Sequence, residues 1–439
     1  MRDFQGRRVV VMGLGRHGGG LGVTRYLAAQ GADLLVTDTA DAGALAESVA
    51  ALQPMIDSGA VELRLGEHNV SDFTTADLVI ANPAVPKPWD NRFLRAASAA
   101  GIEVSTELRL LVEALPNRSR TIGITGTNGK STTAAMTHHA LASAGVHAVL
   151  GGNIGGSLLP ELDSITPETV VVLELSSAQL HWLKVTEAGW SPGVAVVTNV
   201  SPNHLDWHGT EDAYYASKAV LLEHQLGDDA AILGHSVSKW RTRPNVHRII
   251  VEDEDALPGL VLPGAHNGIN GAMAMLAASI AANTSAPSAA EAVMGFTGLP
   301  HRLQLVAELG GVRCFDDSKA TTPASTLTAV RAFDDASHVH LIAGGYDKQI
   351  DLSAIASLAP DLAGFYTIGA TGPMLDSAAG EHATPCGTLD VAVERALDRA
   401  VPGDVLLLSP GCASWDQFAS FEERGRRFAE LVAARGVSA

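Results

Sequence analysis

The chain is poor in aromatic residues, which fill 5% of its 439 positions, and it has three cysteines. With so few rings, alanine, glycine and aliphatic side chains must fill the interior, which suits helices packed closely on sheets. Cys314, Cys386 and Cys412 stand far apart without metal-ligand spacing. Neither a disulfide framework nor a cysteine-bound metal is expected, and the pattern fits a reducing compartment. Positive charge is also short: 30 Lys and Arg face 48 Asp and Glu, a formal net charge of −18. That balance argues against a nucleic-acid partner, because a phosphate backbone is held by surplus cations. No apolar run is long enough to cross a bilayer. The opening "MRDFQGRRVVVMG" lacks the apolar core and cleavage site of a secretory leader. These absences predict a cytoplasmic protein with neither a nucleic-acid nor a membrane partner.

Hydrophobic residues, at 46%, are ample for large cores. Short Val/Ile/Leu runs ("RVVVMG", "DLLVTD", "DLVIAN", "TIGITG", "TVVVLELS", "GVAVVTNV", "HVHLIAGG", "DVLLLSPG") alternate with Ala-rich helical stretches. Continuous apolar runs of this length suit parallel strands buried on both faces, and the alternation predicts doubly wound α/β sheets. Three strand-then-glycine openings divide the chain. The expected domains are 1–108, 109–299 and 300–439.

The first opening, "VVVMGLGRHGGG", carries Gly13, Gly15 and Gly18 as G-x-G-x-x-G, with Asp38 twenty residues on. Taken alone it is a dinucleotide-binding turn. The second, "GITGTNGKSTT", is more specific. A strand ending at Ile124 meets a Gly-rich turn, and Lys130, Ser131 and Thr132 then open a helix. Backbone amides and the helix N-terminus favour an anion there. Lys130 can bridge outer phosphates and Ser131 can ligate Mg²⁺. A strict Walker A would have Gly at 124, so with Gly123, Gly126 and Gly129 this is a variant loop. The plainer alternative is a strand-helix turn without a ligand, and it leaves Gly-Lys-Ser-Thr at that junction without a purpose.

Further clusters follow. "GGNIGG" sets Asn153 in a glycine turn, which permits close backbone approach to a ligand. Glu174 ends the buried run "VVVLELSSAQL", where α/β sheets bind ligands, although a strand-end salt bridge is the simpler reading of Glu174 alone. "VVTNVSPNHLDWHGT" places His204, Asp206 and His208 after a strand. His204 with Glu174 could hold a second Mg²⁺, although this ion prefers oxygen. Asp206 and His208 read as structural. Lys218, in "YYASKAVLL", would ordinarily snorkel to solvent.

Together these motifs resemble the Mur ligase family of ATP-dependent amino-acid ligases. "GTNGKST", "GGNIG", "LELSSAQL", "NVSPNHLDWHGT" and "YYASKAVLL" come in the family's order. They continue into "GAHNGIN", "LPHRLQ", "DDSKATTPAST", "AGGYDKQIDL" and "LLLSPGCASWDQFASFEERG". The last three are similar to those of the branch that adds D-glutamate. The D-N-P-[RN] motif of the lysine and diaminopimelate branches is missing. The resemblance implies three domains: a Rossmann-like N-terminal UDP-binding domain, a central P-loop-type ATPase fold and a Rossmann-like C-terminal domain. It implies that ATP phosphorylates the carboxylate of UDP-N-acetylmuramoyl-L-alanine, and that the amine of D-glutamate displaces phosphate from the acyl phosphate. This would be a step of cytoplasmic peptidoglycan precursor synthesis, by a monomer.

The resemblance also implies roles. Gly126, Thr127, Asn128, Gly129, Lys130, Ser131 and Thr132 would hold the ATP phosphates, with Ser131 and Glu174 on the first Mg²⁺. His204 would hold a second metal and the reacting carboxylate. Lys218 would be a carbamylated lysine on that metal, which turns a cation into an oxygen ligand. Asn153 and Ser176 would touch the muramoyl-alanine part. Asn267 and Asn270, at i,i+3 on one helix face, would lie by the ATP base. Arg302 and Asp317 would reach ATP from the C-terminal side. Lys319, Thr321, Lys348, Ser414 and Phe421 would line the D-glutamate pocket. Gly15, Arg16, Asp38 and Thr39 would serve the UDP-sugar, so the first turn holds a different diphosphate from a nicotinamide cofactor's.

The chain departs from the family at that turn. "GLGRHGGGLG" is two residues longer than usual, and Ala40 replaces the arginine near uracil; Arg16 is expected to supply the charge instead. Ala178 stands where an aromatic is common. Two rivals stay open. An amide ligase like folylpolyglutamate synthase also works through an acyl phosphate, but needs no UDP-binding domain and differs in its C-terminal motifs. A Rossmann oxidoreductase explains residues up to Asp38 and nothing beyond.

Overall fold

The computed structural model describes residues 2–15, 19–184, 189–283 and 285–437. They form three sheets in a three-domain α/β architecture. Two compact bodies result: the described residues of Met1–Asp255 with Ala272–Ala292, and those of Ala256–Gly271 with Val293–Ala439. The first body contains the first two sheets.

The first sheet runs, edge to edge, Val61–Leu65, Asp33–Asp38, Arg8–Met12, Leu78–Ala81 and Glu103–Ser105, all parallel. Val9, Val10, Val11 and Met12 are at most 2% exposed. This explains their uniformly apolar run, since a central strand has helices on both faces. The chain leaves Arg8–Met12 toward one edge and later returns to its other side, and a crevice opens at such a reversal. Gly13 and Asn82 lie there, with Asn82 Nδ2 donating to the Gly13 carbonyl at 3.3 Å.

The second sheet is also all parallel: His247–Val251, Ala230–Gly234, Val194–Val197, Thr121–Thr125, Val170–Glu174 and Ala148–Gly152. Its register sets Ile124 beside Glu174 on one flank and Thr125 beside Val197 on the other. Whatever follows Thr125 therefore emerges between the ends of those two neighbours.

In the second body the sheet runs Gln304–Leu309, Val312–Asp316, Val405–Leu408, Val339–Gly344, Gly364–Ile368 and Ala383–Gly387. Only the pair Gln304–Leu309 and Val312–Asp316 is antiparallel, a hairpin on an otherwise parallel sheet. Asp316, Gly344 and Leu408 end adjacent strands, so the loops after them share one edge.

Candidate functional site

In the first body the loop after Thr125 is a cradle held from both sides. Gly126 has φ 151°. A Cβ on it would fall 1.9 Å from Thr198 Oγ1, so only glycine fits. Thr198 Oγ1 donates to the Asn128 carbonyl at 2.6 Å. Asn199 clasps the same residue twice, accepting from its amide and donating to its carbonyl, each at 3.0 Å. Gly129, at φ 80°, begins the helix Lys130–Ser143 without a capping side chain. A helix end without a capping side chain favours an anion. Lys130 Nζ folds back on the Thr127 carbonyl at 2.9 Å.

Glu174 closes the cradle from the neighbouring strand. It is fully buried, and it accepts from Ser131 Oγ at 2.8 Å and from Asn153 Nδ2 at 3.2 Å. The Asn153 amide donates to the Glu174 carbonyl at 2.8 Å. That approach depends on Gly152, where a Cβ would lie 2.3 Å from the Glu174 carbonyl oxygen. Ser176 then caps the next helix in a capping box with Gln179. The structure thus brings Ser131, Asn153 and Glu174 into direct contact.

Lys218 lies in the helix Glu211–Glu223 and does not snorkel: it is 1% exposed. Its Nζ donates to the Gly126 carbonyl at 2.7 Å and sits 4.8 Å from the Tyr214 ring centre. Burial pushes its pKa down to about 7, with Lys130 acting in the same direction and Glu174 against it. Tyr214 hydrogen-bonds Thr127 Oγ1 at 3.0 Å, and the exposed His204 ring lies 6.2 Å from the Tyr214 ring. His204 itself has φ 51° and begins the short helix Leu205–His208. At the end of that helix His208 is 3% exposed, and burial pushes its pKa down to about 4, so its ring is neutral.

At the first turn, Asp38 Oδ2 accepts from the Gly15 amide at 3.0 Å and Oδ1 from the Ala40 amide at 2.9 Å, and Thr39 is exposed. Arg16, His17 and Gly18 lie outside the described residues.

The second body gathers the remaining candidates. Asn267 and Asn270, each 5% exposed, bond to one another at 3.1 Å, as their shared helix face predicts. Asp317 is buried and accepts from Ser409 Oγ at 2.8 Å and from the Leu303 amide at 3.2 Å. Burial raises its pKa to about 7, against which its hydrogen bonds and Arg302 work. Lys319 Nζ lies 5.4 Å from the Phe421 ring centre, and Lys348 Nζ 5.3 Å from that of Trp415. Ser414 is buried and Thr321 half-buried.

These loops are pinned by Arg424, a residue sequence reasoning passed over. It is 1% exposed and donates to the carbonyls of Ser318, Cys412 and Ala413 and to Ser318 Oγ, at 2.9–3.2 Å. One guanidinium thereby fixes the loop of Lys319 to the loop of Ser414. The Tyr346 amide donates to the Ala413 carbonyl at 2.9 Å, which adds the Lys348 loop. In "FEERG" Glu422 and Glu423 are exposed and Arg424 alone of the polar side chains is buried.

Among the described residues no group of three His, Cys, Asp or Glu side chains forms a complete metal cage, and no helix is long and apolar enough to cross a membrane. Ser131 and Glu174 offer a hydroxyl and a carboxylate. That incomplete oxygen set fits Mg²⁺, which takes its other ligands from phosphates and water.

Comparison with known proteins follows the same division. The family model of the Mur ligase MurD-like N-terminal domain matches residues 7–106, the Mur ligase middle domain 124–252, and the Mur ligase glutamate ligase domain 301–412. The UDP-N-acetylmuramoylalanine–D-glutamate ligase of Roseiflexus sp. (strain RS-1) is 36% identical over 98% of this chain and 99% of its own. That of Anaeromyxobacter dehalogenans is 37% identical over 98% of each. Among solved structures, the UDP-N-acetylmuramate–alanine ligase MurC of Thermotoga maritima has a TM-score of 0.55 at 17% identity, over 98% of this chain and 100% of that one. The MurF ligase of the same organism, in complex with ADP, has 0.54 at 16% identity, over 99% and 100%. These structural likenesses bear on the fold.

Proposed function

The chain belongs to the Mur ligase family, and on that premise we propose that it joins D-glutamate to UDP-N-acetylmuramoyl-L-alanine at the expense of ATP, a step of peptidoglycan precursor synthesis. The observation that carries the chemistry is the meeting of Ser131 and Glu174 at 2.8 Å at the mouth of a phosphate cradle. The substrates come from the full-length similarity to D-glutamate ligases.

A carboxylate is a poor acyl donor until one of its oxygens leaves as phosphate. In the first body the loop Gly126–Thr132 holds the polyphosphate through its amides and Lys130. Ser131 and Glu174 would hold Mg²⁺, which would supply charge neutralisation to phosphoryl transfer. Asn153 and Ser176 orient the alanyl carboxylate for in-line attack on the terminal phosphorus, from which ADP departs with the bonding pair of its bridging oxygen. Gly15, Asp38, Thr39 and Arg16 serve the UDP moiety. In the second body Asn267, Asn270, Arg302 and Asp317 serve the nucleotide. Lys319, Lys348, Thr321, Ser414 and Phe421 serve D-glutamate, whose two carboxylates suit two lysines. Its amine then attacks the acyl carbon, and phosphate leaves with the bonding pair.

Lys218 fits the role of a carbamylated residue that holds a second Mg²⁺ with His204. A buried amine with a pKa of about 7 has a substantial neutral fraction near neutral pH, which is the form that adds carbon dioxide, with loss of a proton. The reading includes a cytoplasmic monomer. It is tested by phosphate release from ATP. Turnover should need both UDP-N-acetylmuramoyl-L-alanine and D-glutamate, and turnover with either alone would contradict it.

A further inference from the structure

His208 has no part in the chemistry above, yet the segments that carry Glu174 and Lys218 converge on its ring, and its own segment carries His204. Its Nε2 lies 2.9 Å from Ser177 Oγ, and its Nδ1 lies 3.4 Å from Ser217 Oγ. Ser177 follows Ser176 in the turn after Glu174, and Ser217 immediately precedes Lys218. Its own amide donates to the His204 carbonyl at 2.9 Å. All three side chains, His208, Ser177 and Ser217, are at most 4% exposed.

The hydrogen-bond count fixes the roles. Ser217 gives its single hydroxyl proton to the Ala213 carbonyl at 2.8 Å, so it can only accept from His208 Nδ1. Nε2 is then the acceptor, and Ser177 must donate to it. The ring is a neutral, directional link with a donor on one side and an acceptor on the other. Trp207 and Tyr214, with ring centres 4.4 and 5.3 Å away, hold its plane.

We propose that His208 is a positioning residue: through Ser177 and Ser217 it sets the Glu174 turn and the Lys218 helix at their separation across the phosphate cradle. The inference rests on the reading above that Glu174 and Lys218 serve phosphoryl transfer. Glu174 reaches the cradle through Ser131, and Lys218 through the Gly126 carbonyl. A shift of either segment would therefore misplace charge around the same phosphates. Outer partners of this kind typically change affinity or activity by about 10–100-fold when removed.

The test uses the full chain and the phosphate-release assay, with melting temperature alongside. His208→Ala should lower kcat by about 10–100-fold and leave the KM for D-glutamate within about 2-fold. It should also shrink the thermal upshift given by ADP with Mg²⁺. His208→Gln puts an amide oxygen where Nε2 accepts from Ser177, and should recover most of kcat and of the upshift. Ser177→Ala removes only the donor and should lower kcat, with a melting temperature no lower than that of His208→Ala. His208→Ala with kcat within about 2-fold of the parent would overturn the proposal. So would His208→Gln no faster than His208→Ala, or Ser177→Ala at full rate if His208→Ala fails to fold. An inactive parent chain would instead count against the reading of the function.

Discussion

Replacing Lys218 by methionine should stabilise the protein near neutral pH while removing activity. The amine is 1% exposed, and burial lowers its pKa from 10.5 to about 7. At about 1.36 kcal/mol per pH unit, that fall amounts to roughly 5 kcal/mol spent on keeping an ammonium in the fold. Methionine fills a similar volume without the charge. It also leaves the Gly126 carbonyl, which now accepts from Nζ, without that donor, at a cost of about 1–3 kcal/mol. The net gain is then about 2–4 kcal/mol at pH 7. The sign with pH follows from the two states. The unfolded chain keeps this proton up to about pH 10.5, whereas the folded chain loses it near 7. Parent stability therefore rises between those values, and the advantage of the variant is full at and below about pH 7 and shrinks above it. Lys130, Glu174 and Tyr214 face the group and are unchanged by the substitution. Calorimetry of the nucleotide-free chain in carbon-dioxide-free buffer, at about pH 6.5 and about pH 9.5, reads both effects. A variant that melts below the parent at the lower pH, or a gap that does not narrow at the higher, would refute the argument.

Lys348→Ala should raise the KM for D-glutamate by roughly 10–100-fold, the loss of one charge-assisted hydrogen bond, and leave that for ATP nearly unchanged in steady-state kinetics. Asp317→Asn should gain stability over the parent as pH rises. The raised carboxyl favours the fold while protonated and loses that contribution as pH climbs from about 4 through about 7, so the melting gap should be wider at about pH 8 than at about pH 5. Gly126→Ala should cut ATP binding, read by nucleotide titration, by about tenfold or more, because its Cβ would fall 1.9 Å from Thr198 Oγ1 and push the cradle open.

The parallel sheets were legible because their central strands are buried on both faces and must be apolar throughout, as Val9–Met12 are. The tight loop after Thr125 was legible through its glycines, since only glycine meets the close approach at Gly126. Its buttress was not. Thr198 and Asn199 clasp Asn128 across 70 and 71 positions, and a Thr-Asn pair has no local signature. Lys218 shows the limit of a local reading. An isolated lysine on an apolar helix usually reaches solvent, and only the tertiary packing of its helix decides otherwise. The role of Arg424 and the partners of His208 have no local signature for the same reason: those partners are backbone carbonyls and serine hydroxyls 9 to 106 positions away. The resemblance pairs Ser131 with Glu174 on one metal and sets Asn153 on the substrate, and the structure places all three in one hydrogen-bonded group.

The central claim is that this chain is a ligase selective for D-glutamate, and one comparison tests it most directly. The chain is incubated with ATP, Mg²⁺ and UDP-N-acetylmuramoyl-L-alanine, together with D-glutamate or L-glutamate, while phosphate release and the mass of the nucleotide product are followed. Stoichiometric phosphate and a product heavier by one glutamyl residue are expected with the D-isomer, and neither with the L-isomer. Equal turnover of both isomers, or phosphate release without the heavier product, would contradict it.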